Sequence, residues 1–330
     1  MFLCCYAVMN YFRITGGVPL KGKVNISGSK NAAIKMIGAS LLTDDPVTLI
    51  NVPEIGDVRV DLEVVKSMGV KTEKKKSELT LKADELVSSE IPEALSKKTR
   101  AAIVTLGPLL ARTSKVVLGG LGGCKIGQRP IDRHLKALAA LGVEVECTGS
   151  EVIAKTERLR GGTIRFEKNT VMGTETALLA SVLAEGTTKI FGAAMEPEVD
   201  DLIVLLKKMG AEISRSEESP REITVQGVEE LSGASHEVIP DRNEAVTFAV
   251  SAAATRGDVV IKNLRTGDIT PFLSKLNAMK ISYEVSGDDL RIWSEQLSSW
   301  QAVDIETAAH PGFMTDWQQP FSVLLTQAEG

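Results

Sequence analysis

One apolar spacing recurs four times in this chain and restricts it to a modular fold. Val58, Leu62, Val65 and Met68 are followed by Gly69; Ile131, Leu135, Leu138 and Leu141 by Gly142. Val199, Ile203, Leu206 and Met209 are followed by Gly210, and Ile269, Leu273, Leu276 and Met279 by Lys280. Apolar residues at i, i+4, i+7 and i+10 form one face of an α-helix. A glycine just past the last of them is a helix C-cap signal. A strand-like run comes next, as in VKTE and VEVE. Each copy opens with a second helix, rich in small apolar residues: AAIKMIGASLL, AAIVTLGPLLA, TALLASVLAEG and AVTFAVSAAAT. Strands PVTLINV, SKVVLGG, TTKIFGA and DVVIKNL follow these. The unit reads strand, helix, strand, helix, strand. At about 70 residues it is a small βα layer rather than a solenoid turn.

A fifth unit begins at Asp316 with DWQQPFSVLLTQAEG and stops at Gly330. The same AEG at Ala184–Gly186 runs on into TTKIFG. The expectation is a chain cut inside a repeat, with a sheet edge left unpaired. The alternative is a degenerate terminal cap, but a cap should show a polar outer face, and FSVLL is apolar.

At 330 residues, two domains of ordinary size are expected. With aromatics at 4%, the core is expected to rest on Leu, Ile, Val, Ala and Met. A net charge of −5, with no basic tail or stripe, argues against nucleic acid as a partner. The opening MFLCCYAVMNYF is too short to span a bilayer and lacks the basic start and cleavage site of a signal peptide. The first eight residues are therefore read as an extension without a role, Met9 being the more natural start, and no membrane partner is expected. Cys4, Cys5, Cys124 and Cys147 show no metal-ligand spacing and make no disulfide framework, which fits a reducing compartment.

The polar residues fall at one recurring place. SGSKN with Lys30 and Asn31, SKKTR with Arg100, VMGTE with Thr174 and Glu175, PDRNE with Arg242 and Glu244, and GFMTD with Asp316 each precede a unit's first helix. Helix N-termini carry free N–H groups and a dipole that favours anions, and Lys30 and Arg100 there suit phosphate or carboxylate. The plainer reading makes Ser29, Thr174 and Thr315 N-caps and leaves the charges to solvent. Five units with the same offset favour a convergent site. GGLGGCKIGQRPIDRH, Gly119–His134, adds a glycine-rich loop holding Cys124 beside Lys125 and near Arg129. Nearby cations lower a thiol pKa. No G-K-[ST] ends this loop, so it is not a P-loop, and it is no dinucleotide fingerprint.

SGSKNAA, LGGCKIGQRPID, IPDRNE and HPGFMTDWQQPF, in this order, resemble the UDP-N-acetylglucosamine 1-carboxyvinyltransferase family of enolpyruvyl transferases, in register from about Met9 to Gly330. The resemblance implies an α/β (α+β) fold: a two-domain inside-out α/β barrel built from repeated βα units with pseudo-threefold symmetry. It further implies that the second domain is incomplete here. Residues 31–239 would form the complete three-unit domain with the Cys loop; 1–30 and 240–330 would form the discontinuous second one.

It implies transfer of the enolpyruvyl group of phosphoenolpyruvate to the 3-hydroxyl of UDP-N-acetylglucosamine, in the cytoplasm, at the first committed step of peptidoglycan synthesis. No cofactor or metal is implied. By motif position Cys124 would be the general acid, and the thiol alkylated by fosfomycin, and Asp316 the base. Lys30, Arg100 and Arg129 would hold phosphoenolpyruvate, and Asn31 the sugar. Arg129, Pro130, Ile131, Asp132, Arg133 and His134 would pack on the uridine, and Val171, Met172 and Gly173 would touch the diphosphate. The last three stand where a Ser-Val-Gly type stretch is common, so the hydroxyl contact is missing from them. A late segment supplying further arginines is also missing, and little or no turnover is expected of the chain as it stands; full phosphate release would overturn this. The rival readings are a 5-enolpyruvylshikimate-3-phosphate synthase-like enzyme, a non-catalytic nucleotide-sugar binder and a bare repeat scaffold.

Overall fold

The computed structural model describes residues 13–120, 130–149, 151–294 and 299–330. The first unit comprises β1 (Lys21–Asn25), α1 (Lys30–Ala39), β2 (Val47–Ile50), α2 (Gly56–Ser67), β3 (Lys71–Lys75) and β4 (Glu78–Lys82). The second comprises β5 (Glu90–Ile91), the single turn α3 (Glu93–Ser96), α4 (Leu106–Arg112), β6 (Lys115–Leu118), α5 (Asp132–Ala139), β7 (Glu144–Thr148) and β8 (Glu151–Lys155). The third runs β9 (Thr163–Arg165), α6 (Val171–Ser181), β10 (Thr187–Phe191), α7 (Pro197–Lys208), β11 (Glu212–Arg215) and β12 (Glu222–Gln226). The fourth runs β13 (Ser235–Glu237), α8 (Arg242–Ala254), β14 (Asp258–Lys262), α9 (Thr270–Ala278), β15 (Ser282–Ser286) and β16 (Asp289–Trp293). A fifth begins with β17 (Trp300–Gln301), α10 (Gln318–Leu325) and β18 (Ala328–Glu329).

Where the spacing predicted one strand after the second helix, each complete unit has a hairpin. The expected run VKTE is the first strand of that hairpin, β3, which shows its side chains largely to solvent; the strand passed over is the second, β4, which reads ELTLK. The resulting sheets are alike. In each, a parallel pair is followed by two antiparallel strands, in the orders β1-β14-β16-β15, β13-β2-β4-β3, β5-β6-β8-β7 and β9-β10-β12-β11. β17 and β18 form the parallel pair of the fifth unit, so the edge expected to lack a mate within the unit has this one partner.

Two strands trade places. β1 pairs with β14 of the fourth unit, and β13 pairs with β2 of the first. The chain thus crosses twice between two hydrophobic cores. One gathers residues from Ala32 to Val238; the other gathers Ile26 and residues from Ala245 to Leu324. The crossings lie antiparallel and bond to each other: Ser29 N–H donates to Ile239 O at 2.7 Å and Asp241 N–H to Ser27 O at 2.9 Å. Asn51 and Asn263 occupy equivalent left-handed positions after β2 and β14. Their side-chain amides hold the crossings' carbonyls at Val238 (3.2 Å) and Ile26 (3.3 Å).

The small-residue helices lie innermost and the sheets surround them, the inside-out arrangement. α6 is buried from Gly173 to Ser181, whereas strands such as β8 and β12 alternate buried and outward residues. Small residues are required because the helices nearly touch. A Cβ on Gly107 of α4 would meet Ala180 of α6 at 2.8 Å. The expectation of an aliphatic core holds for the first core, and the second adds an aromatic cluster to its aliphatic residues. Phe272, Phe313, Trp317 and Phe321 form edge-to-face pairs there, with centroids 5.3 to 6.3 Å apart. Few aromatics were available, and most of the buried ones fill the space among α8, α9 and α10. Among the described residues no helix is long and apolar enough to cross a membrane.

The four recurrent helix ends share one cap. Gly69, Gly142, Gly210 and Lys280 all have positive φ (103°, 85°, 106° and 61°). In each, the next residue's N–H returns to the carbonyl five residues earlier, as Ile281 does to Leu276 at 3.0 Å. This is the Schellman motif. Lys280 alone carries a side chain in that conformation, which costs about 1 kcal/mol relative to glycine. Lys280→Gly is therefore expected to stabilise the fold by about 0.5–1 kcal/mol, read as a higher urea midpoint at unchanged m-value.

Candidate active site between the two cores

A cleft of about 690 Å³ lies between the cores, and helix tips from several units meet at it. Lys30 and Asn31 open α1, Arg100 stands just before the 3-10 turn Ala101–Thr105, and Val171 and Met172 open α6. Asp316 comes from the 3-10 turn Thr315–Trp317 that leads into α10. A second hollow of about 430 Å³ beside the crossings shares Lys30, Asn31 and Asp316. The convergence expected from the repeat offset is therefore present for these residues. Cys124 and Arg129 lie outside the described residues.

The capping alternative holds only for the position of Ser29, which stands at the N-cap of α1. Ser29 makes no side-chain cap bond, Thr174 lies inside α6, and Thr315 opens its 3-10 turn without acting as a cap. The side chains that do cap are Thr170, which accepts from Gly173 N–H at 3.3 Å, and Asp241. Asp241 accepts from Asn243 N–H (2.8 Å) and Glu244 N–H (3.0 Å), and its other oxygen takes the Lys30 N–H at 2.9 Å. One aspartate thus caps α8 and ties down the start of α1 across the crossings. Thr170 also places a hydroxyl immediately before Val171, where none was expected. A Thr three residues before a Gly-Thr pair at a helix start could have revealed it.

The remaining expected positions spread out. Pro130 is exposed and accepts from Arg100 Nη2 at 3.2 Å. Ile131 packs against the first core. Asp132 and Arg133 line a different hollow of about 310 Å³, with Lys136, Arg165 and Lys168. His134 is buried with Nδ1 at 2.8 Å from Thr176 Oγ1, and burial pushes its imidazole down to about 4. It is a neutral histidine fastening α5 to α6. Gly173 is buried, where a Cβ would strike Thr170 at 2.7 Å.

Of the charges beneath the cleft, sequence reasoning singled out Glu175 and passed over Lys35 and Asp61. Lys35, one turn after Asn31, is 3% exposed. Its ammonium donates to Asn31 O at 3.0 Å and lies 3.2 Å from Glu175 Oε2. Glu175 is fully buried, with Oε1 lacking a hydrogen bond, and burial pushes its carboxyl up against the pull of Lys35. Asp61 on α2 is raised to about 6 by burial, opposed by its hydrogen bond with Thr99 and by Lys35. A lone lysine inside AAIKMIGASLL was the available signal. Asp316 itself is held loosely: Asn243 Nδ2 donates to its Oδ2 at 3.5 Å, and Asn243 Oδ1 accepts from Trp317 Nε1 at 2.8 Å.

Cationic helix tips facing a carboxylate across a two-core cleft make a site for an anionic substrate and a proton transfer. The sequence profile of EPSP synthase (3-phosphoshikimate 1-carboxyvinyltransferase) matches residues 14–330. The chain belongs to this enzyme family. Within it, similar proteins carry the name UDP-N-acetylglucosamine 1-carboxyvinyltransferase. That of Koribacter versatilis is 42% identical over 98% of this chain and 74% of its own length. That of Zymomonas mobilis is 41% identical over 98% of this chain and 77% of its own. The enolpyruvyl transferase NikO from Streptomyces tendae superposes with a TM-score of 0.84 at 22% identity, covering 96% of this chain and 74% of its own. EPSP synthase from Acinetobacter baumannii gives 0.69 at 20% identity, over 88% and 68%. Carboxyvinyl transfer is thus the chemistry of the family, and the two-core, inside-out layout is its fold.

Proposed function

We propose that this chain transfers the enolpyruvyl group of phosphoenolpyruvate to the 3-hydroxyl of UDP-N-acetylglucosamine, releasing phosphate, in cytoplasmic peptidoglycan synthesis. The reading is carried by relatives of that name at 40–42% identity over 98% of the chain. Its complement is a cleft whose helix tips present Lys30, Arg100 and Asp316 together. We place one domain at 31–239 and the other in 1–30 with 240–330.

The sugar hydroxyl oxygen bonds to C2 of phosphoenolpyruvate while the methylene carbon takes a proton, giving a tetrahedral adduct. Phosphate then leaves C2 as the methyl carbon gives a proton back. Asp316 takes the hydroxyl proton, and Cys124 delivers the proton to carbon. Lys30 and Arg100 hold the phosphate and carboxylate and stabilise the charge that develops on leaving, and Arg129 joins them. Asn31 bonds the sugar. Residues 130–134 pack on the uridine, with His134 setting the helix rather than offering its ring, and Val171, Met172 and Gly173 reach the diphosphate with the Thr170 hydroxyl beside them.

The discriminating experiment is thermal protection by each acceptor. UDP-N-acetylglucosamine at about 100 times its Kd should raise stability by about 2.7 kcal/mol, a shift of several degrees. Shikimate-3-phosphate should give none. Protection by shikimate-3-phosphate instead would move the chain to the other branch of its family, and protection by neither would sink the proposal.

A further inference from the structure

We propose that Arg242 is a positioning residue, a clasp that fastens the segment bearing Asp316 to the first core so that the carboxylate stands over the cleft. The inference rests on the role given to Asp316 above. Arg242 is the first residue of α8, on the second-core side of the crossings, and it is 2% exposed. Its Nε and Nη2 donate to the two oxygens of Glu198 at 2.9 Å each. Glu198 is 3% exposed, belongs to α7 of the first core and borders the cleft. The remaining Arg242 nitrogen, Nη1, lies 3.3 Å from His310 Nδ1. Arginine offers no acceptor, so Nδ1 must accept, and His310 is neutral with its proton on Nε2. The guanidinium also lies 5.9 Å from the Trp317 ring centroid.

One planar cation therefore meets three partners: Glu198 of the first core, and His310 and Trp317, which flank Asp316 in sequence. From Trp317 the link continues through Asn243 to the Asp316 carboxylate. A buried ion pair is a poor way to gain stability, because desolvation offsets its attraction and apolar packing does as well. It is a good way to fix geometry, since the two-pronged arginine–carboxylate contact admits one orientation. The aromatic packing of Phe313, Trp317 and Phe321 already secures the second core. The clasp adds the setting of that core's reactive carboxylate relative to helix tips in the other.

Two variants test this, Arg242→Lys and Glu198→Gln, each keeping a polar group of similar size. Hydrogen exchange is read at Ala308 N–H, bonded to Phe313 O at 2.8 Å, and Trp317 N–H, bonded to Met314 O at 3.1 Å. Both amides should exchange about tenfold faster in either variant, while Thr326 N–H, bonded to Ser322 O at 3.2 Å, keeps its protection. In turnover, kcat should fall about 100-fold with KM for phosphoenolpyruvate within about threefold, because the cations that hold it are untouched. Unchanged exchange at both amides overturns the clasp, as does a loss spread evenly through the second core. Absence of protection by UDP-N-acetylglucosamine would count against the proposed function, whereas little phosphate release is expected of the chain as it stands; in either case the exchange measurement decides the role of Arg242.

Discussion

Asp316→Asn should lower the rate of phosphate release by about 10³-fold while leaving UDP-N-acetylglucosamine affinity within about threefold of the parent. Asparagine keeps an oxygen to accept from Asn243 and keeps the shape of the Thr315–Trp317 turn, with Trp317 still bonded to Asn243. What it loses is a lone pair basic enough to take the sugar hydroxyl's proton as the new C–O bond forms. General-base catalysis contributes roughly 10²–10⁴ in rate, about 3–5 kcal/mol of barrier. The affinity should hold because, in the proposed binding mode, the nucleotide would be gripped by residues of the first core rather than by Asp316. A fall of less than tenfold would mean that the carboxylate only lines the site. A fall accompanied by an equal loss of affinity would mean that it binds the sugar instead of activating it. The clasp variants differ from this one in exchange: Asp316→Asn should leave the Ala308 and Trp317 amides as they are.

Much of this arrangement was written in the sequence as period and offset. The four helix faces ending at Met68, Leu141, Met209 and Met279 could be read directly, since every copy must bury the same stripe against the same kind of sheet. The convergence of Lys30, Arg100 and Asp316 followed from their equal offset, because equivalent helix tips in a closed set of units point toward one place. What stayed hidden had no periodic signature. The strand that closes each hairpin, ELTLK in the first unit, lies beyond the recurrent spacing and buries only two leucines, too short a run to mark a strand by itself. The exchange of β1 and β13 between sheets depends on parallel pairing of positions as far apart as Lys21 and Asp258, or Thr48 and Ser235, which local pattern does not encode. The Arg242–Glu198 pair was invisible for the same reason. Each residue alone looks like a solvated charge at a helix start, and only the meeting of two cores reveals that both are buried.

Asp61→Asn should make the protein more stable at neutral pH and remove a pH dependence that the parent shows between about pH 4 and pH 6. Asp61 is 4% exposed, one of its oxygens has no hydrogen-bond partner, and burial raises its carboxyl from 3.8 to about 6. A carboxyl that is harder to ionise when folded binds its proton more tightly in the native state than in the unfolded chain. Between those two pKa values the native state holds more protons, so stability falls as pH rises through the window and levels off above about 6. Two pKa units correspond to about 3 kcal/mol, nearly all of it lost by pH 8. Asparagine has no such transition and still offers an oxygen to Thr99. The variant's advantage in urea unfolding free energy should therefore grow by about 2 to 3 kcal/mol from pH 4 to pH 8. Glu175, raised by the same cause, contributes with the same sign in both proteins and cancels in the difference, apart from what each feels through their common neighbour Lys35. An advantage that stays constant with pH would show that Asp61 ionises alike in the folded and unfolded chain.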